Sequence, residues 1–237
     1  MMPFNKETYL LWIDNEHSPD LNMAIDEELL FESQKTNTPF LRFYEWDRKA
    51  ISIGYIQSYS QTAKEGYDLV RRPTGGGVVF HDIDLTYTIT IPSGHKIELL
   101  PREESYHIFH KIIISALASI GLAGELIQTT KISKERHSMQ CFSAPVKFDV
   151  AIKTDNTTSK VAGAAQRRTK HGILHQGSIV LPDMKSIRKT LIDSIIDSFK
   201  TWLGIAFIPF MPSHDFLDRA EILAQIKYSQ SSWNKLR

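Results

Sequence analysis

Residues 71–91 read Arg71-Arg72-Pro73-Thr74-Gly75-Gly76-Gly77-Val78-Val79-Phe80-His81-Asp82-Ile83-Asp84-Leu85-Thr86-Tyr87-Thr88-Ile89-Thr90-Ile91. In the second half, Leu85, Tyr87, Ile89 and Ile91 alternate with threonines. That period predicts a half-buried strand. In the first half, the run Gly75-Gly76-Gly77 leaves backbone N–H groups uncovered and permits positive φ, so the chain can curl around an anion or a flat ligand. Arg71 and Arg72 add fixed positive charge just upstream. The segment is not a P-loop, because no Gly-Lys-Ser/Thr is present, and it lacks the spaced glycines of a dinucleotide fingerprint. A plain glycine turn between strands is the other reading. Thr74, His81 and Asp82 beside the arginines argue for more than a turn.

Working outward, Ser18-Pro19-Asp20 offers caps for a helix whose apolar stripe is Leu21, Ala24, Ile25 and Leu29. Phe40 to Trp46 and Ile51 to Gln57 are aromatic and β-branched runs separated by Asp47–Ala50, which predicts a hairpin. After the threonine strand, Ile108, Ile112, Ala116 and Ile120 recur at helical spacing up to Gly121. Val146 to Ile152, Lys160 to Gln166 and Gly172 to Leu181 read as successive strands. A long helix follows on the stripe Ile187, Leu191, Ile195, Phe199 and Leu203, then a short one from about Asp215 to Tyr228. The pattern is α+β: a mixed, largely antiparallel sheet with helices packed on one side. No repeat or low-complexity tract divides it, so residues 1–237 are expected to form one domain.

Composition narrows the classes. At 237 residues, 42% hydrophobic and 23% charged, the chain is neither disordered nor fibrous. Its 28 basic and 27 acidic residues leave a net charge of +1, so general nucleic-acid binding has no electrostatic basis. No apolar run reaches the roughly 20 residues that a membrane helix needs. The first residues lack the charged and apolar regions of a signal peptide, and a cytoplasmic protein is expected. The single cysteine, Cys141, rules out an intrachain disulfide and any multi-thiolate metal site.

A second unusual stretch is Ser159-Lys160-Val161-Ala162-Gly163-Ala164-Ala165-Gln166-Arg167-Arg168. As a strand it places Lys160, Ala162, Ala164 and Gln166 on one face, with almost no side chain between the polar ends. Such a strand packs poorly within a sheet, so a long acyl chain or a nucleotide is expected above it. Lys160 could equally be a solvated strand end. Cys141 stands in Met139-Gln140-Cys141-Phe142-Ser143-Ala144-Pro145; free cysteines are commonly small buried hydrophobes. An approaching Lys160 ammonium would favour its thiolate and create a nucleophile. His107 and His110 lie three apart on a helix, but no third ligand at suitable spacing completes a metal site. His175-Gln176-Gly177-Ser178 interrupts an apolar strand and either lines a pocket or faces water.

Taken together, these segments resemble the lipoate and biotin protein ligase superfamily, in its lipoate-protein ligase A and LipM-type octanoyltransferase branch. The resemblance runs from Asn22-Met23-Ala24-Ile25-Asp26-Glu27 through Leu41–Trp46, Ser52–Gln57 and the Arg71–Asp82 loop. It continues through Lys160–Gln166 and Leu174–Ser178, and closes on Lys227-Tyr228 and Trp233-Asn234. It implies the catalytic-domain fold of that superfamily and attachment of an octanoyl or lipoyl group to a lysine of a lipoyl domain. Such domains belong to 2-oxoacid dehydrogenase complexes and to the H protein of glycine cleavage. Carried over residue by residue, it implies catalytic roles for Lys160 and Cys141. It assigns acyl or nucleotide binding to Arg71, Arg72, Thr74, Gly75, Gly76, Gly77, His81, Asp82, Gly163, Ala164, His175 and Gly177, with no metal ligands.

Two routes follow from the resemblance. A ligase activates the free acid with ATP and Mg2+ as an acyl-adenylate, and Lys160 stabilises developing charge while Cys141 takes no part. A transferase accepts octanoyl from acyl carrier protein on Cys141, with Lys160 lowering the thiol pKa, and needs no tightly bound cofactor. The context Cys141-Phe142-x-x-Pro145-x-x-Phe148-Asp149 is like that of the transferases. The sequence also stops soon after Asn234, where ligases usually continue into an accessory domain, so none is expected. Ile83-Asp84 departs from the small residues common after the His-Asp pair. A biotin ligase is disfavoured by the absence of a Gly-Arg-Gly-Arg loop, and a non-catalytic acyl-binding relative by the retention of Lys160 and the glycine loop.

Overall fold

The computed structural model describes residues 6–60, 62–127, 149–154 and 157–236. An eight-stranded sheet forms its centre, in the order β11-β1-β2-β6-β10-β9-β8-β7. These strands are β1 (Thr8–His17), β2 (Phe40–Trp46), β6 (Leu85–Pro92), β7 (Gly124–Leu126), β8 (Val150–Thr154), β9 (Thr157–Thr169), β10 (Gly172–Ile179) and β11 (Ala206–Pro209). In this sheet β1 runs parallel to both its neighbours, β2 and β11, and the other pairings are antiparallel. A small second sheet holds β3 (Ala50–Ile53) between β4 (Asp68–Arg71) and β5 (Val79–His81). The helices are α1 (Pro19–Thr36), α2 (Arg102–Ser119), α3 (Met184–Leu203), α4 (His214–Leu223) and α5 (Ser231–Asn234), with a π-helical turn at Ala224–Tyr228.

Helices cover both faces of the large sheet, which corrects the one-sided expectation. Tyr87, Ile89 and Ile91 of β6 pack with Phe109, Ile112 and Ala116 of α2 and Leu191, Ile195 and Phe199 of α3. The alternate residues point to α1: the Thr88 hydroxyl donates to Asp26 at 2.8 Å. The threonine face of β6 is therefore buried as fully as its apolar face, because β6 lies at the centre of the sheet with helices above and below. Arg42, wholly buried, pairs with Asp14 at 2.7 Å and with Asp26 at 2.8 Å. A buried guanidinium is tolerated only with such partners.

The expected hairpin does not form. Phe40–Trp46 joins the large sheet, whereas Ala50–Ile53 pairs with β4 and β5 in the small one. Asp47–Lys49 is thus a crossing between sheets, and it places the glycine loop against the large sheet. Among the described residues, no helix is long and apolar enough to cross a membrane.

Candidate active site

A partly open pocket lies where the small sheet meets the large one. Gly163, Ala164 and Ala165 of β9 and Gly177 of β10 line it. Gly163 and Ala165 oppose Ser178 and Gln176 in the register and put little side chain into the space over the strands. Met23, Tyr44, Trp46 and Val79 add apolar walls, and Ser52, Arg72, His81, Thr86, Gln176 and Ser178 add polar groups.

Arg72 shapes the glycine loop. It donates from Nη2 to the carbonyls of Gly75 at 2.7 Å and Gly77 at 2.6 Å, and from Nη1 to the Ser52 carbonyl at 2.8 Å. Gly76 holds φ at +87°, and a Cβ there would stand 2.9 Å from Arg72 Nη2. Glycine is the residue that accepts both conditions. Arg71 does not line the cavity. Its guanidinium donates to the carbonyls of Gly54, Tyr55, Gln57, Trp233 and Asn234. Thr74 is buried and donates to Gln176 Oε1 at 2.7 Å; Gln176 in turn donates to Asp26 at 2.7 Å. The loop is thereby tied to the core of α1.

His81 lines the cavity, and its partner is Asp84 rather than Asp82. Asp82 sits at the surface, paired with Lys49 at 3.0 Å. His81 Nδ1 is 2.8 Å from Asp84 Oδ2, and Nε2 is 2.8 Å from Ser52 Oγ. Trp46 stacks on the imidazole at 3.9 Å and donates its indole N–H to Thr86, whose hydroxyl donates to Asp84. Ser178 also donates to Asp84, at 2.7 Å. Burial raises the Asp84 pKa, but His81 and these donors outweigh it and hold the carboxyl below its ordinary value. Asp84 and Ser52 were not expected from the sequence. The available signal was a polar residue inside the apolar run Ile51-Ser52-Ile53 and a second acid three residues after the histidine.

Lys160 and Asp149 form a buried ion pair at 2.7 Å, with side chains 1% and 3% exposed. A one-residue irregularity between Val150 and Ala151 shifts the β8–β9 register beside Lys160, and its amine comes to rest over Gly163. Lys160 therefore borders the cavity floor instead of ending in solvent. Gly177 faces Tyr87: a Cβ would stand 2.2 Å from the tyrosine ring. His175 points to the α2 side, buried among Tyr87, Tyr106, Phe109 and His110. Burial, then the neighbouring His110, lowers its pKa well below the ordinary histidine value. Cys141 lies outside the described residues.

A model of the lipoyl protein ligase A/B catalytic domain matches residues 18–201. The chain belongs to that family. Octanoyltransferase LipM of Bacillus subtilis is 29% identical over 98% of this chain and 99% of its own length. The LipM of Carboxydothermus hydrogenoformans is 34% identical over 87% of this chain and 77% of its own. Among solved structures, a bi-partite lipoate protein ligase from Thermoplasma acidophilum, studied with its E2 lipoyl domain, superimposes with a TM-score of 0.73. It is 22% identical and matches 97% of this chain and 96% of that one. The cavity, the glycine loop and the Lys160 strand of this chain all fall within the matched residues 18–201. The chain is an enzyme of protein lipoylation.

Proposed function

We infer that this enzyme transfers an octanoyl group to a lysine of a lipoyl domain, and that the group waits on Cys141 as a thioester. The observation that carries this reading is the buried Lys160 amine over a glycine and alanine floor, beside a loop whose carbonyls are turned onto Arg72. The floor accommodates a long unbranched acyl chain, and the amine supplies charge where a carbonyl oxygen becomes negative. A thiolate at Cys141 attacks the carrier thioester, the carrier thiol departs, and the lipoyl-domain lysine then displaces Cys141. The kinship with proteins named octanoyltransferase LipM supports octanoyl transfer.

Acyl carrier protein is the donor in this reading, and the lipoyl domain of a 2-oxoacid dehydrogenase or the glycine-cleavage H protein is the acceptor. The reaction takes place in the cytoplasm, within one catalytic domain, and needs no bound cofactor. Purified protein is incubated with a lipoyl domain and either octanoyl carrier protein, or octanoate with ATP and Mg2+, and intact masses are measured. Modification from the carrier that disappears in Cys141→Ala, with an octanoyl adduct on the wild type, is the expected result. Modification only with ATP, unaffected by Cys141→Ala, would overturn it in favour of the ligase.

A further inference from the structure

We propose that Ser52, His81 and Asp84 form a proton relay that deprotonates the incoming lysine. The inference rests on the acyl-transfer reading and concerns its second half, aminolysis of the loaded acyl group. A lysine arrives as an ammonium ion and attacks only after losing a proton.

The hydrogen bonds fix the direction of the relay. Asp84 is an ionised acceptor, so His81 Nδ1 carries the hydrogen between them. With the imidazole neutral, His81 Nε2 is the acceptor and the Ser52 hydroxyl, 2.8 Å away, is the donor. Ser52 Oγ also accepts from Arg72 Nη1 at 3.1 Å. A hydroxyl has two acceptor positions, which leaves one for an incoming N–H. Both Ser52 and His81 line the cavity. Trp46 on the ring face and Asp84 on the ring edge hold the imidazole in this orientation.

The proton balance is complete. The ammonium gives a proton to Ser52 Oγ as the Ser52 proton passes to His81 Nε2, leaving a neutral amine and an imidazolium beside Asp84. The Arg72 guanidinium disfavours a second cation at the same place, and Asp84 stabilises the imidazolium. The amine attacks the acyl carbonyl, the bond from carbonyl carbon to sulfur breaks, and the departing sulfur takes the second proton from nitrogen. His81 then releases its proton to solvent. The relay acts on the amine, so it is the same if the acyl group is carried on phosphate.

The test compares two acceptors. Wild type, Ser52→Ala and Asp84→Asn are loaded with octanoyl, and single-turnover transfer is followed to a lipoyl domain and to hydroxylamine, whose nitrogen is largely unprotonated at neutral pH. Loss of the relay is expected to lower the ratio of lysine transfer to hydroxylamine transfer by about 10²-fold, the lower range for general base catalysis. Equal slowing with both acceptors, a failure to load, or undiminished lysine transfer in the variants overturns the relay while the functional reading stands. If wild type accepts octanoyl neither from the carrier nor from octanoate and ATP, the functional reading falls and the relay falls with it.

Discussion

The amine of Lys160 lies 2.8 Å from the point where a Cβ on Gly163 would stand. Gly163 is thus the platform on which the buried lysine rests. Since the nearest atoms belong to the far end of the Lys160 side chain, Gly163→Ala is expected to fold, but pressing on the buried Lys160–Asp149 pair costs about 0.5–3 kcal/mol. It displaces the amine from Asp149, and acyl transfer falls at least tenfold. Thermal unfolding followed by circular dichroism, alongside the mass assay, checks both parts. Full activity in a normally folded variant would remove Lys160 placement from the account.

Gly177→Ala behaves differently. The added methyl meets the Tyr87 ring itself, 2.2 Å away, inside the packed interface with α2. Overpacking of this kind costs about 1–3 kcal/mol. Tyr87→Leu in the same chain makes room for the methyl, so the double variant is expected to be more stable than the sum of the single effects. Urea denaturation of the four proteins measures that coupling. Simple additivity would show that the ring moves freely.

Asp26→Ala removes one acceptor shared by Arg42, Tyr44, Thr88 and Gln176. Breaking a buried ion pair from one side costs about 3–5 kcal/mol. For a chain of this size the melting temperature is expected to drop by roughly 6–20 °C. Asp26→Asn keeps the shape and loses less. A change of a degree or two in Asp26→Ala would contradict the network's role.

His175 gives stability an acid limb. Burial holds its folded pKa well below 6.5, so between those values the unfolded chain takes up a proton that the folded chain refuses. Stability therefore declines as pH falls below about 6.5. Neither ring nitrogen has a hydrogen-bond partner among the described residues. His175→Leu removes the titration and two costly polar atoms, and is expected to stabilise by about 1–3 kcal/mol, more at about pH 5 than at about pH 8. Parallel urea curves at the two pH values check this, and the same change in stability from about pH 8 to about pH 5 in wild type and variant would refute it.

The long helices were legible because their apolar stripes are complete in themselves. Ile112, Ala116, Leu191 and Ile195 mark one face whatever they pack against. Strand partners were less legible. The sequence carries no signal for Thr8–His17 and points to a hairpin of Phe40 to Trp46 with Ile51 to Gln57 that does not form, because β1 and β3 choose neighbours distant in sequence. The site divides in the same way. The glycine loop and the Gly-Ala strand announce themselves by what they lack. Asp84 and Asp149 became visible only once the fold brought them to His81 and Lys160. Asp82, the acid adjacent to the histidine, is carried outward to Lys49 by the intervening turn.

The hold of Trp233 and Asn234 on Arg71 has a consequence in time. Arg71 donates to both of their carbonyls, and its own backbone N–H and carbonyl are bound by the Asn234 side chain and the Trp233 indole. A growing chain emerges from the ribosome N-terminus first, so the anchor of the glycine loop stays unclasped until Trp233 and Asn234, 162 and 163 positions after Arg71, have been made. A nascent chain that stops short of Trp233 has the strands of the cavity but no latch on its loop, so the order of synthesis delays the finished site.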